Sequence, residues 1–119
     1  LYRQDVDLVA DLGHQCYRLS VEWSRIEPAE ERFDESAIDH YVDLLERLCA
    51  RGIKPMVTLH HFTHPQWFQE KGAFDDEANL RYFYRFVEKL VPRIETSVYA
   101  WNVWNETNMG DYYGTKKKL

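Results

Sequence analysis

Ala100-Trp101-Asn102-Val103-Trp104-Asn105-Glu106 is an apolar, strand-like run that delivers an amide and a carboxyl side by side at its end. Such an acid can protonate a leaving oxygen while the neighbouring amide grips a sugar hydroxyl, which is what cleavage of a glycosidic bond needs. Glu106 is therefore a candidate catalytic acid. It must hold a proton near neutral pH, which takes apolar surroundings and a second carboxylate nearby; Trp104, on its own strand face, and Trp101, on the other, are placed to supply bulk. Asn105 offers a donor and an acceptor, suited to a hydroxyl whose contact tightens as an oxocarbenium-like transition state develops.

Arg18 lies inside an alternating apolar segment with Tyr17, Leu19 and Val21, where an unpaired guanidinium is costly, so a buried anion is expected beside it. Glu22, on the same strand face, is one candidate partner, and a carboxylate elsewhere in a larger site is the other. His60, His61 and His64 gather at the end of a second apolar run. Three histidines invite a zinc reading. Yet His60 and His61 point to opposite faces of an extended strand, and no His-Glu-x-x-His pattern accompanies them, so no metal is expected.

These side chains need elements to hold them. Asp5–Leu12 reads as a helix, with Val6, Val9 and Ala10 on one face and Gly13 ending it. Cys16–Val21 alternates with period two, a strand. Asp34 is placed to cap a helix through Arg51, in which Ile38, Tyr41, Val42, Leu45, Leu48 and Cys49 recur at three- and four-residue intervals before Gly52. Pro55–Leu59 is a short strand with its proline at the start. A third helix is predicted from about Asp76 to Val91 on a stripe of Leu80, Phe83, Tyr84, Val87 and Val91, with Pro92 kinking or ending its last turn. Val98–Asn105 is the third strand.

Helix and strand alternate with no hairpin signal, which predicts parallel strands joined by right-handed crossovers. A doubly wound sheet and a piece of an eight-stranded barrel both fit that order. No strand is followed by Gly-x-Gly-x-x-Gly or a P-loop, and the polar groups collect at the C-terminal ends of the strands, where such barrels build their sites. The expected fold class is α/β, a partial TIM (β/α)8 barrel.

With 119 residues, 45% of them hydrophobic, the chain can bury one modest core. A net charge of −5 argues against partners such as nucleic acid or anionic membrane. Lys116-Lys117-Lys118 reads as a solvated tail or loop edge. After Leu1 no leader or membrane anchor is visible, and Cys16 and Cys49, each in an apolar-periodic segment, are expected to be buried free thiols of a reducing, cytoplasmic compartment.

Three stretches carry a more specific likeness. Tyr17-Arg18-Leu19-Ser20-Val21-Glu22-Trp23-Ser24-Arg25-Ile26-Glu27-Pro28, then Pro55-Met56-Val57-Thr58-Leu59-His60-His61-Phe62-Thr63-His64-Pro65, then Trp101 to Asn108 resemble successive strand-end motifs of family 1 of the glycoside hydrolases, in the family's order and spacing. The resemblance implies barrel strands two to four of a single catalytic domain of a retaining, exo-acting β-glycosidase, of the β-glucosidase, β-galactosidase or 6-phospho-β-glycosidase type. It matches Glu106 to the general acid/base, Asn105 to the amide on the glycone 2-hydroxyl and His61 to the histidine on a neighbouring hydroxyl. Arg18 matches the arginine that contacts the nucleophilic carboxylate.

The same resemblance implies a small β-glycoside or oligosaccharide as partner and no cofactor. It places the nucleophile on strand seven, in a Glu-Asn-Gly sequence that residues 1–119 lack, so this chain alone is expected to be inactive. Thr107 stands where the family commonly has Pro, Phe62 replaces a frequent Trp, and Thr63-His64 replace Asp-Leu. Two alternatives compete: an endo-acting xylanase or cellulase with an Asn-Glu acid on strand four, and a sugar-binding relative without catalysis.

Overall fold

The computed structural model describes residues 1–107. Lys116-Lys117-Lys118, and Asn108 at the end of the third motif, lie outside them. Helix α1 (Tyr2–Asp11) stops where Gly13 adopts φ 78°, a left-handed conformation open to a residue without Cβ, and its N–H returns to the Ala10 carbonyl. Strand β1 (Cys16–Ser20) follows, then a single turn, α2 (Trp23–Ile26), which the sequence reading leaves out because four residues carry no period.

Asp34 caps α3 (Glu35–Ala50) as expected, its Oδ1 accepting from the Ser36 and Ala37 amides at 2.9 and 3.2 Å. Strand β2 (Lys54–His60) leads into a second short helix, α4 (Gln66–Glu70), and then into α5 (Leu80–Ile94) and strand β3 (Ala100–Trp104).

The three strands lie in sequence order, β1-β2-β3, and both pairings are parallel. Each crossover carries helices, so the helix and strand alternation is that of a barrel segment. Ser20 faces Thr58 and Thr58 faces Asn102, with Arg18 opposite Met56; the two-residue pleat therefore sets Arg18, Thr58 and Asn102 on one face of the sheet. Val57 and Leu59, on the other face, are buried in one cluster with Ile38, Leu45 and Leu48 of α3 and Phe83, Phe86 and Leu90 of α5. β2 is central and covered, whereas β1 and β3 are edges, leaving Trp101 38% and Val103 55% exposed.

Helix α5 departs from expectation at both ends. Asp76 accepts from the Ala78 amide and caps a 3-10 turn (Glu77–Asn79), so the α-helix starts only at Leu80. Pro92 sits on the exposed side of the last turn and removes the one bond its N–H would have made to the carbonyl four residues back, yet the helix continues to Ile94. The buried stripe is Tyr82, Phe83, Phe86, Leu90 and Ile94; Tyr84, expected inside, is 58% exposed.

The cysteines correct the sequence reading too. Both are free thiols and both are exposed, Cys16 on edge strand β1 and Cys49 on the flank of the last turn of α3, donating to the Ser97 carbonyl at 3.3 Å. An apolar period does not bury a residue on an edge. Among the described residues no helix is long and apolar enough to cross a membrane.

Candidate active site

The C-terminal ends of the three strands bring their polar side chains together through Arg18. From β1 its Nε donates to Thr58 Oγ1 of β2 at 3.1 Å, and its Nη2 reaches past β3 to Asn105 Oδ1 at 2.7 Å. With the Asn102 amide turned so that its oxygen faces the guanidinium, Nη2 donates there as well at 2.8 Å, while the Asn102 nitrogen donates to the Trp104 carbonyl. One cation thus straps all three strands.

The sequence reading expects an anion beside Arg18; within the described residues its acceptors are neutral oxygens. Two facts account for this. Arg18 is exposed on the open face of the sheet, so water screens its charge, and Glu22 is engaged elsewhere.

Glu22 lies just beyond β1 and caps α2. Its Oε1 accepts from Ser24 N and Oγ at 3.3 and 2.5 Å, and its Oε2 accepts from Thr63 Oγ1 at 2.7 Å. Burial works to raise its pKa, but the bonds from the Ser24 hydroxyl, Thr63 and the Ser24 amide, with a smaller effect of His60, outweigh burial and hold the carboxyl below its usual range.

His60 closes β2. Its ring is buried, stacks on Trp104 at 4.2 Å and is flanked by Phe74. Nε2 meets His64 Nδ1 at 3.3 Å, and His64 Nε2 meets Gln69 Oε1 at 2.8 Å. This relay is absent from the sequence reading; the i, i+4 spacing of the two histidines was its only signal. His61 turns outward, exposed, and within the described residues neither of its ring nitrogens is hydrogen-bonded. No group of three His, Cys, Asp or Glu among the described residues is arranged to hold a metal ion.

Asn105 is 6% exposed, its N–H donating to the His60 carbonyl at 3.0 Å. Backbone and side chain are thus both fixed, the one by β2 and the other by Arg18. Glu106 follows at φ 48°, a left-handed conformation uncommon for a residue with Cβ. Its carboxyl is exposed, and within the described residues no hydrogen bond occupies it. Trp104 lays its ring on His60 and Phe74, and Trp67 packs under the α2 loop, donating to the Glu27 carbonyl at 3.0 Å.

Residues 1–116 match the profile of Glycosyl hydrolase family 1. The chain belongs to that family. It is similar to the aryl-phospho-beta-D-glucosidase BglA of Bacillus subtilis (strain 168), 34% identical over 110 residues, covering 90% of this chain and 23% of that protein. Among solved structures, the beta-glycosidase from Pyrococcus horikoshii is 42% identical with a TM-score of 0.86, covering 92% of this chain and 26% of that one. A rice beta-glucosidase mutant in a covalent complex with Glc is 32% identical with a TM-score of 0.87, covering 95% and 24%. The chain therefore spans about a quarter of the length of these family 1 relatives. Its three parallel strands and their helices are part of an α/β barrel of the family 1 kind.

Proposed function

We propose that residues 1–119 are a segment of a single (β/α)8 catalytic domain of a retaining, exo-acting β-glycosidase, with Glu106 as its general acid/base. The observation that carries this reading is the bond from Arg18 Nη2 to Asn105 Oδ1 at 2.7 Å. It commits the amide oxygen of Asn105, so the amide nitrogen is left to donate to a sugar hydroxyl beside the Glu106 carboxyl. His61, with both ring nitrogens unoccupied among the described residues, takes a neighbouring hydroxyl of the same terminal sugar.

In this reaction Glu106 gives its proton to the glycosidic oxygen as the bond to the anomeric carbon breaks. A second carboxylate, outside these residues, bonds to that carbon and forms a glycosyl-enzyme. Glu106, now ionised, takes a proton from water as the water displaces the carboxylate. Retention requires about 5 to 5.5 Å between the two carboxyl groups. No cofactor takes part. The covalent Glc complex of the rice relative supports a glycosyl-enzyme, and the aryl-phospho-glucosidase relative keeps phosphorylated β-glucosides among the candidate substrates.

The test is Glu106→Gln in the complete polypeptide. Loss of a general acid/base costs about 10²- to 10⁴-fold in kcat on substrates with poor leaving groups, and a loss of less than about tenfold refutes the assignment. Turnover of long polysaccharide in preference to aryl β-glucosides would reverse the exo assignment.

A further inference from the structure

The segment that carries His61 is built unlike an ordinary loop. Thr63 N donates back to the His61 carbonyl at 2.9 Å, closing a three-residue turn, and Phe62 between them stands at φ 69°. A turn of that hand is held only against backbone strain, so something outside it must hold it. Thr63 anchors the turn from outside, its hydroxyl donating to Glu22 Oε2 at 2.7 Å. Glu22 is itself fixed from the other side, by Ser24 N and Oγ on its Oε1, and its backbone N–H donates to Tyr41 Oη at 2.9 Å. Its acceptor is therefore already in place when Thr63 arrives.

We propose that Glu22, acting through Thr63, is a positioning residue that sets the orientation of His61 for glycone binding. The inference rests on the glycone-binding reading of His61 given above. Glu22 touches no reacting atom in this account. Its carboxylate is the fixed post, Thr63 the latch, and the strained turn the part that swings when the latch opens. The ionised state of Glu22, favoured by its hydrogen bonds, suits that work, because a charged acceptor makes the stronger bond.

The experiment uses the complete polypeptide and 4-nitrophenyl β-glucoside and β-galactoside. Thr63→Val keeps the size of the side chain and removes the hydroxyl; Thr63→Ser keeps the hydroxyl. We expect Thr63→Val to raise KM about tenfold, the loss of a hydrogen bond to a charged acceptor, with kcat changed less than about twofold, and Thr63→Ser to restore KM. Glu22→Ala should raise KM by a like factor, and Glu22→Ala with Thr63→Val should do no more than either alone, the mark of one shared interaction. A KM for Thr63→Val within about twofold of the wild type, while His61→Ala raises KM strongly, overturns the latch and leaves the role of His61 standing. If His61→Ala itself leaves KM unchanged, the glycone-binding reading falls and the latch falls with it. Equal thermal midpoints for wild type and Thr63→Val separate a local swing from general unfolding.

Discussion

Acidification from pH 7 to 4 should cost this protein about 3 kcal/mol through one imidazole, and the hydrogen bonds of His60 say why. Gln69 Oε1 only accepts, so His64 Nε2 carries the proton of that bond. A neutral His64 then offers Nδ1 as an acceptor, which makes His60 Nε2 the donor and leaves His60 Nδ1 bare. That atom is buried without a partner among the described residues. A second proton on His60 must go there, where no acceptor receives it. Burial above all, then His64, lower the His60 pKa from 6.5 to about 4, with the opposing pull of Glu22 next in size and the effect of His61 last.

The unfolded chain takes up this proton near 6.5 and the folded chain only near 4. The contribution is therefore complete above pH 6.5 and is lost as pH falls toward 4, at about 1.4 kcal/mol per unit. Denaturant unfolding of the complete polypeptide at pH 7, 5.5 and 4 checks this against His60→Phe, which keeps an aromatic ring against Trp104 and Phe74 but cannot titrate. Each protein serves as its own reference at pH 7, so any repacking cost cancels. Acid losses from carboxylates such as Asp43, held at about 2, are common to both. An equal loss of stability in wild type and His60→Phe would refute the reasoning.

Two further outcomes follow from the fold. Glu27 is fully buried and ion-paired with Arg85, so Arg85→Ala leaves its carboxylate buried with no cation and only the Trp23 Nε1 and Glu31 N–H bonds, and should cost about 3 kcal/mol by denaturant midpoint, with kcat of the folded fraction little changed. Residues 1–119 expressed alone should associate, through the bare edges of β1 and β3 and exposed Tyr17, Trp101 and Val103, and should hydrolyse no aryl β-glucoside. Light scattering and a chromogenic assay check both parts, and a soluble monomer with cooperative unfolding contradicts the first.

The parallel order, the three strand ends and the Asp34 cap were legible because each depends on local pattern: period two, period 3.6, and one side chain reaching its own helix. Tyr84 was misplaced because the buried stripe runs through Tyr82, Phe83, Phe86 and Leu90, on the other side of Phe83 from Tyr84, and a three- and four-residue spacing admits both stripes. Cys16 and Cys49 were expected inside because period marks a face without saying whether anything covers it. The neutral partners of Arg18 and the Glu22–Thr63 bond join residues 40 or more positions apart, and no local pattern encodes such pairings.

The reach of Arg18 over β2 also bears on when recognition becomes available. Arg18 and Asn105 are separated by 87 positions, so during synthesis the guanidinium emerges long before the amide it will orient. Until the last of the three strands docks, the side chain of Asn105 is free to rotate, and on the proposed reading a sugar would find no ordered donor. If Asn105 binds the glycone as proposed, competence to bind is coupled to an assembly step, and an intermediate lacking that strand would be blind to a sugar.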